Sequence, residues 1–252
     1  MCYGFFGDLF DKDKKEDKKY QKLEKTLTNM YVQAMERGAV IEQLKDLGTP
    51  EAVRILLARY RENTPNTTVD LEEKERIAEV LVMLGKVPDS DTVEIIKTHL
   101  RKTDGRINWP MRILSDLLEF DDFAAFVAEL LDNCHTDYEQ NPEKKQALIL
   151  RTSEFQHDLT AKALPRFLGD MNETIRFLTV ESILSQKDPS LHLDPICEQL
   201  AEEESLRIVK KIAEAFNANH NWLVPEPLRE SVGEALPDEY GVHDKGHIYK
   251  RR

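Results

Sequence analysis

Glycine is scarce in this sequence, ten residues in 252, and none stands in a GxGxxG or other phosphate-cradling loop. GxSxG elbows and HExxH helices are missing too, which removes the local signatures of α/β-hydrolases and zinc proteases. The three cysteines, Cys2, Cys134 and Cys197, are odd in number and far apart, and none belongs to a CxxC pair. That pattern predicts free thiols in a reducing compartment and neither a disulfide framework nor a cysteine metal site. Cys134 precedes His135, but neighbours on a chain point in different directions, so no Cys/His catalytic pair is read there. No apolar run approaches the roughly 20 residues that span a bilayer, and the N-terminus lacks a basic-then-apolar leader, so a cytoplasmic location is expected. Positive charge is also short: 35 basic residues face 47 acidic ones, a net charge of −12, which disfavours nucleic acid as a partner. Runs of alternating β-branched residues are absent, and no β-sheet is expected.

What the chain does contain is helix-forming residues in a recurring frame. In ALPRFLGDMNETIRFLTVESIL, Ala163 to Leu184, an apolar helix ends at Gly169 and Asp170. A polar turn follows, and Ile175-Arg176 opens a second helix with Phe177, Val180 and Leu184 read as inward-facing. The frame recurs in ICEQLAEEESLRIVKKIAEAF, Ile196 to Phe216, where Leu206-Arg207 takes that place ahead of Ile208, Ile212 and Phe216. Upstream it places Met111-Arg112 after the Asp104 turn, and Arg76 before Ile77, Val80, Leu81 and Leu84. A weaker copy between Phe123 and Phe155 has Gln146 at the Arg position. Arg76, Arg112, Gln146, Arg176 and Arg207 are 36, 34, 30 and 31 residues apart, a drift that loop lengths absorb.

These units resemble the HEAT-repeat family, including its bilin-lyase type and the bacterial style of HEAT-repeat protein, over about residues 36 to 236. The resemblance implies an all-α fold, an α-α superhelix or solenoid of about six antiparallel helix pairs, with the second helices lining a curved inner face. It also implies that the repeat arginines pair with turn carboxylates, for which Asp104, Asp170 and Glu204 stand ready, Asp170 being the expected partner of Arg176. The competing reading of Arg76, Arg112, Arg176 and Arg207 is an anion-binding ladder.

Caps and breakers bound the helices. Gly48 and Gly85 close apolar runs, while Pro50, Pro110 and Pro142 suit first turns. Helices are expected at 36–47, 50–61, 71–84, 90–102, 109–119, 122–133, 142–154, 159–168, 172–186, 192–201, 204–218 and 225–236. Residues 1–35 read as an aromatic and mixed-charge segment that turns helical near Tyr20 and caps the first pair. Its Phe5, Phe6, Leu9 and Phe10 form a candidate docking segment, with packing on the first repeat and weak membrane-surface contact as the competing readings. Residues 237–252 read as an irregular tail, in which Gly241 and Gly246 argue against a helical His243/His247 metal pair. Trp109, at a helix entrance before Pro110, is either a packing residue or a partner contact, and Trp222 is read the same way.

The pattern as a whole predicts a non-catalytic scaffold that binds a protein partner through the inner face, with no catalytic residue, cofactor or metal. A HEAT-like lyase or accessory subunit acting on a small ligand is the alternative, and a nucleic-acid binder is a weaker one.

Overall fold

The computed structural model describes residues 5–186 and 188–251, with side chains from Lys15 onward. Thirteen α-helices and one small hairpin are present among them. The chain divides into two compact units, Met1–Glu119 and Phe120–Arg252.

The first unit holds α1 (Phe5–Thr28), α2 (Ala34–Leu47), α3 (Pro50–Ala58), α4 (Thr67–Gly85), α5 (Thr92–Lys102) and α6 (Asn108–Leu117). The mixed-charge run does not wait for Tyr20 to become helical. Helix α1 starts at Phe5, since Lys, Asp and Glu without proline or glycine can follow one another through its second and third turns. Local chemistry fixes the other boundaries. Thr49 caps α3 by accepting from the Ala52 amide at 3.2 Å, with Pro50 in the first turn. Asn66 caps α4 by accepting from Thr68 and Val69. Gly48 ends α2 in the left-handed region at φ 55°.

Odd helices pack on odd and even on even, α1 on α3 on α5 and α2 on α4 on α6, giving two layers within the unit. The even helices run parallel. A Cβ on Gly85, at the end of α4, would lie 2.6 Å from Leu117 at the end of α6. The odd helices do likewise: Arg106, just past α5, donates to the carbonyl of Arg61, which ends the single 3₁₀ turn following α3. Leu27, Ile41, Leu44, Leu56, Ile77, Leu81, Ile96 and Leu114 are fully buried between the layers.

The second unit holds α7 (Phe120–Asp132), α8 (Glu143–Glu154), α9 (Asp158–Ala163), α10 (Glu173–Leu184), α11 (Leu193–Glu202), α12 (Leu206–Ala218) and α13 (Arg229–Ala235). Here α8, α10 and α12 form one layer, and α7 packs on α9 and α11 on α13 in the other. Helix α10 is rotated from the sequence reading. Ile175, Val180 and Ile183 are buried, while Phe177 and Leu184 are only half-buried.

Two expectations about the C-terminal segment fail. Residues 237–252 are not an irregular tail, and the chain is not free of β-structure: β1 (Tyr240–Val242) and β2 (Ile248–Lys250) pair antiparallel, Tyr240 opposite Lys250 and Val242 opposite Ile248. Tyr, Val and Ile favour strands, and Gly246 supplies the turn at φ 92°. Tyr240 and Ile248 are buried, and the Val224 amide donates to the Gly246 carbonyl at 2.8 Å, so the hairpin is docked. Three-residue strands are too short to show in an alternation pattern.

Candidate functional site

The repeat arginines lie on the even helices, and each meets a carboxylate. Arg76 of α4 donates to Glu42 of α2 at 2.9 Å, and Arg112 of α6 makes a two-pronged contact with Glu75 of α4 at 2.7 and 2.8 Å. In the second unit, Arg207 of α12 reaches Glu173 of α10 at 2.8 Å. Its guanidinium also lies 3.9 Å from the centre of the Phe177 ring, which explains why Phe177 stays near the surface. These three braces are solvent-exposed and each ties one even helix to its predecessor. None uses the turn carboxylates Asp104 or Glu204.

Arg176 is different. Its partner is Glu203, at 2.8 and 2.9 Å, and not the Asp170 carboxylate, of which it touches only the backbone carbonyl at 3.0 Å. Asp170 is occupied by Lys145, whose ammonium is 2.6 Å away. Both Lys145 and Asp170 are 1% exposed. The two carboxylates do the same job: Asp170 accepts from the Asn172 amide at 2.8 Å and Glu203 from the Ser205 amide at 2.9 Å, fixing the turn two residues on. Burial alone would raise Glu203, but the hydrogen bonds from Arg176, the Ser205 amide and Gln199 together outweigh it and hold the carboxyl low. Lys145 is thus the counterpart of Arg176, 31 residues earlier. The sequence frame aligned Gln146 instead, although a cation in register stood one residue away.

A second set of charged residues escaped the sequence reading. In the first unit Arg37, Arg59, Asp70, Glu73 and Lys74 are all buried and joined. Arg37 holds Glu73 at 2.7 Å. Arg59 bridges Glu73 at 2.9 Å and Asp70 at 2.7 Å, and Lys74 closes on Asp70 at 2.7 Å. Burial pushes the Asp70 carboxyl up, yet hydrogen bonds from Lys74, Arg59 and the Thr64 amide prevail and bring it to about 2.

Trp109 packs flat on Tyr60, ring centroids 5.8 Å apart and 12° between planes, and the Arg112 guanidinium lies over the Trp109 ring, 5.4 Å from its centre. Trp222 packs edge-on against Phe216. Phe5, Phe6, Leu9 and Phe10 belong to the backbone of α1, and the docking reading of their side chains lies outside the described residues.

Surface charge distinguishes the even-helix face of the first unit. After the braces are made, Glu36, Asp46, Glu72, Glu79 and Asp116 remain as exposed carboxylates on α2, α4 and α6, beside the exposed Met35 and Met83. On the odd layer, α3 and α5 flank an open groove of about 640 Å³. Leu57, Ala58 and Ile95 form its floor, Glu24, Glu51, Asp91 and Glu94 surround one end, and Arg61, His99 and Lys102 surround the other.

Burial raises the Cys134 thiol, and it raises Cys197 to about 12, assisted by Asp194 and Glu198, so both favour the protonated form. His243 and His247 face each other across the hairpin with ring centroids 6.5 Å apart. Among the described residues no three His, Cys, Asp or Glu side chains converge as a metal site would require, and no helix is long and apolar enough to cross a membrane. Comparisons with protein-family models, with curated proteins and with solved structures return no match for this chain.

Proposed function

We infer that this chain is a non-catalytic, cytoplasmic interaction scaffold, a HEAT-like solenoid that holds a protein partner on the exposed face of its second helices. The observation that carries the reading is the braced even-helix face of the first unit. Its arginines are committed to neighbouring helices, so the surface presented is preorganised, and the exposed charged groups outside these pairs, Glu36, Asp46, Glu72, Glu79 and Asp116, are acidic. A partner segment bearing Lys or Arg with a few apolar side chains for Met35 and Met83 complements it. The Arg ladder is on this reading a structural element and not an anion site, because each guanidinium is paired with a carboxylate, which for Arg76 is Glu42, shared with Lys45.

The test is a partner isolated on the tagged full-length chain and then titrated against the double variant Glu72→Lys/Glu79→Lys, with circular dichroism confirming retained helicity. Binding should weaken at least tenfold and lose its salt dependence. Unchanged affinity in the folded variant would remove this face from the interface.

A further inference from the structure

The groove on the odd layer of the first unit is a separate surface, independent of the second-helix reading. Its two walls present the same stripe. Helix α3 and its 3₁₀ extension contribute Pro50, Glu51, Arg54, Leu57, Ala58 and Arg61, and α5 contributes Asp91, Glu94, Ile95, Thr98, His99 and Lys102. The α5 series steps through i, i+3, i+4, i+7, i+8 and i+11, and the α3 series matches it except that Glu51 stands at i+1, so each is one continuous helix face. Because the two helices are parallel, their acidic starts come together at one end and their basic finishes at the other.

Some of this charge is satisfied internally. Arg54 pairs with Glu51 at 2.9 Å and Lys97 with Glu94 at 3.1 Å. Glu24 and Asp91 at the acidic end, and Arg61 and Lys102 at the basic end, make no ion pair with any described residue. A second hollow of about 340 Å³ adjoins the acidic end through Glu24 and Glu51 and adds Glu16 and Asp17. The groove is therefore an electrical dipole about 16 Å long, from Asp91 to Lys102 at 1.5 Å per residue, over an apolar floor.

We propose that this groove binds one amphipathic α-helix of a partner protein, about 11 residues long and antiparallel to α3 and α5. The charges select that occupant. Helices favour acidic residues in their first turn and basic residues in their last, as α5 shows with Glu94 and Lys102, and as α3 shows with Glu51 once the 3₁₀ turn that adds Arg61 is counted with it. A helix laid antiparallel sets its basic last turn on Glu24 and Asp91 and its acidic first turn on Arg61 and Lys102. Its apolar stripe then covers Leu57, Ala58 and Ile95. A parallel helix of the same composition would bring like charges together at both ends.

The experiment uses the full chain and two fluorescein-labelled 12-residue peptides held helical by a hydrocarbon staple. One has an acidic first turn, a Leu/Ile stripe and a basic last turn, and the other has its end charges exchanged. Fluorescence anisotropy should show the first binding at least tenfold tighter. The double variant Asp91→Lys/Arg61→Glu, checked for unchanged helicity, should reverse the preference. Equal affinity for the two peptides, binding of neither, or a preference that survives in the variant would overturn the proposal. So would a concentration-dependent dimer in sedimentation that the same variant abolishes, which would assign the groove to a second copy of the chain.

Discussion

The first unit buries its charge in one connected cluster, with Arg59 touching both carboxylates, whereas the second buries it in separate links repeated along the chain, Lys145 to Asp170 and Arg176 to Glu203. The two units also differ in net charge. Met1–Glu119 carries 20 basic and 22 acidic residues, and Phe120–Arg252 carries 15 and 25. The nearly neutral unit nonetheless has an acidic even-helix face, to which the interior contributes a little, since it takes up three cations, Arg37, Arg59 and Lys74, against two carboxylates, Asp70 and Glu73. Burying a cation removes it from the surface that a partner reads. Net charge alone would have placed the acidic face in the wrong half of the molecule.

The largest expected effects come from cutting a buried partner. Arg59→Met takes a buried cation from both Asp70 and Glu73, leaving them only Lys74 and Arg37, and should cost about 3–5 kcal/mol, and Lys145→Met, which strands Asp170, about 3 kcal/mol. The units can be followed separately because each holds one tryptophan, so Trp222→Phe reports the first and Trp109→Phe the second during urea unfolding. Removing both partners separates cluster from link. Lys145→Met/Asp170→Leu should recover most of the loss, while Arg59→Met/Asp70→Leu should not, since Glu73 and Lys74 then lose partners in turn. Equal recovery in the two doubles would erase the distinction.

Acid should break the units in different windows. The Asp70 carboxyl is depressed, so its contribution is complete above the ordinary carboxylate value near 4 and is lost as pH falls towards 2, a change of about 2 kcal/mol in the first unit. His192 governs the second. Its Nε2 is buried without a hydrogen-bond partner, and burial lowers its proton affinity against the opposing pull of Asp188. The unfolded chain therefore takes up that proton first, and stability present above about pH 6.5 declines as pH falls below it. His192→Leu should flatten the Trp222 unfolding midpoint between pH 6.5 and 5 and leave the Trp109 profile unchanged. A decline that persists in the variant would assign the sensitivity elsewhere.

The smallest effect sharpens the contrast between braces and links. Arg112→Ala opens an exposed pair and should cost about 0–1 kcal/mol, diminishing in high salt. Arg176→Ala leaves the Glu203 side chain 1% exposed without its cation and should cost more, with little response to salt. If the two variants behave alike, the arginines of the frame form one class after all.

The expected helices agree closely with those found because their signals are local. Thr49-Pro50, Asn66 and Gly48 act within a turn of the boundaries they set, and apolar spacing needs only the helix itself. Register across repeats is harder. Lys145 could be mistaken for a solvated neighbour of Gln146 because nothing in the chain says which residue faces the Asp170 turn. The hairpin was illegible for a similar reason: Tyr240 and Ile248 are buried by α12, α13 and the Val224 segment, not by their own strands.

The sequence by itself determined that the chain is helical, where most of its helices after α1 start and stop, and that arginines recur at a near-regular spacing, since propensity, caps and period act over a few residues. Only the tertiary structure decided which carboxylate each cation meets. Ion pairing depends on distances between helices some 25 to 37 residues apart in the chain, so Arg176 meets the carboxylate of Glu203, 27 residues on, and leaves Asp170 to Lys145. The same packing decided which charges are buried and which remain to face a partner.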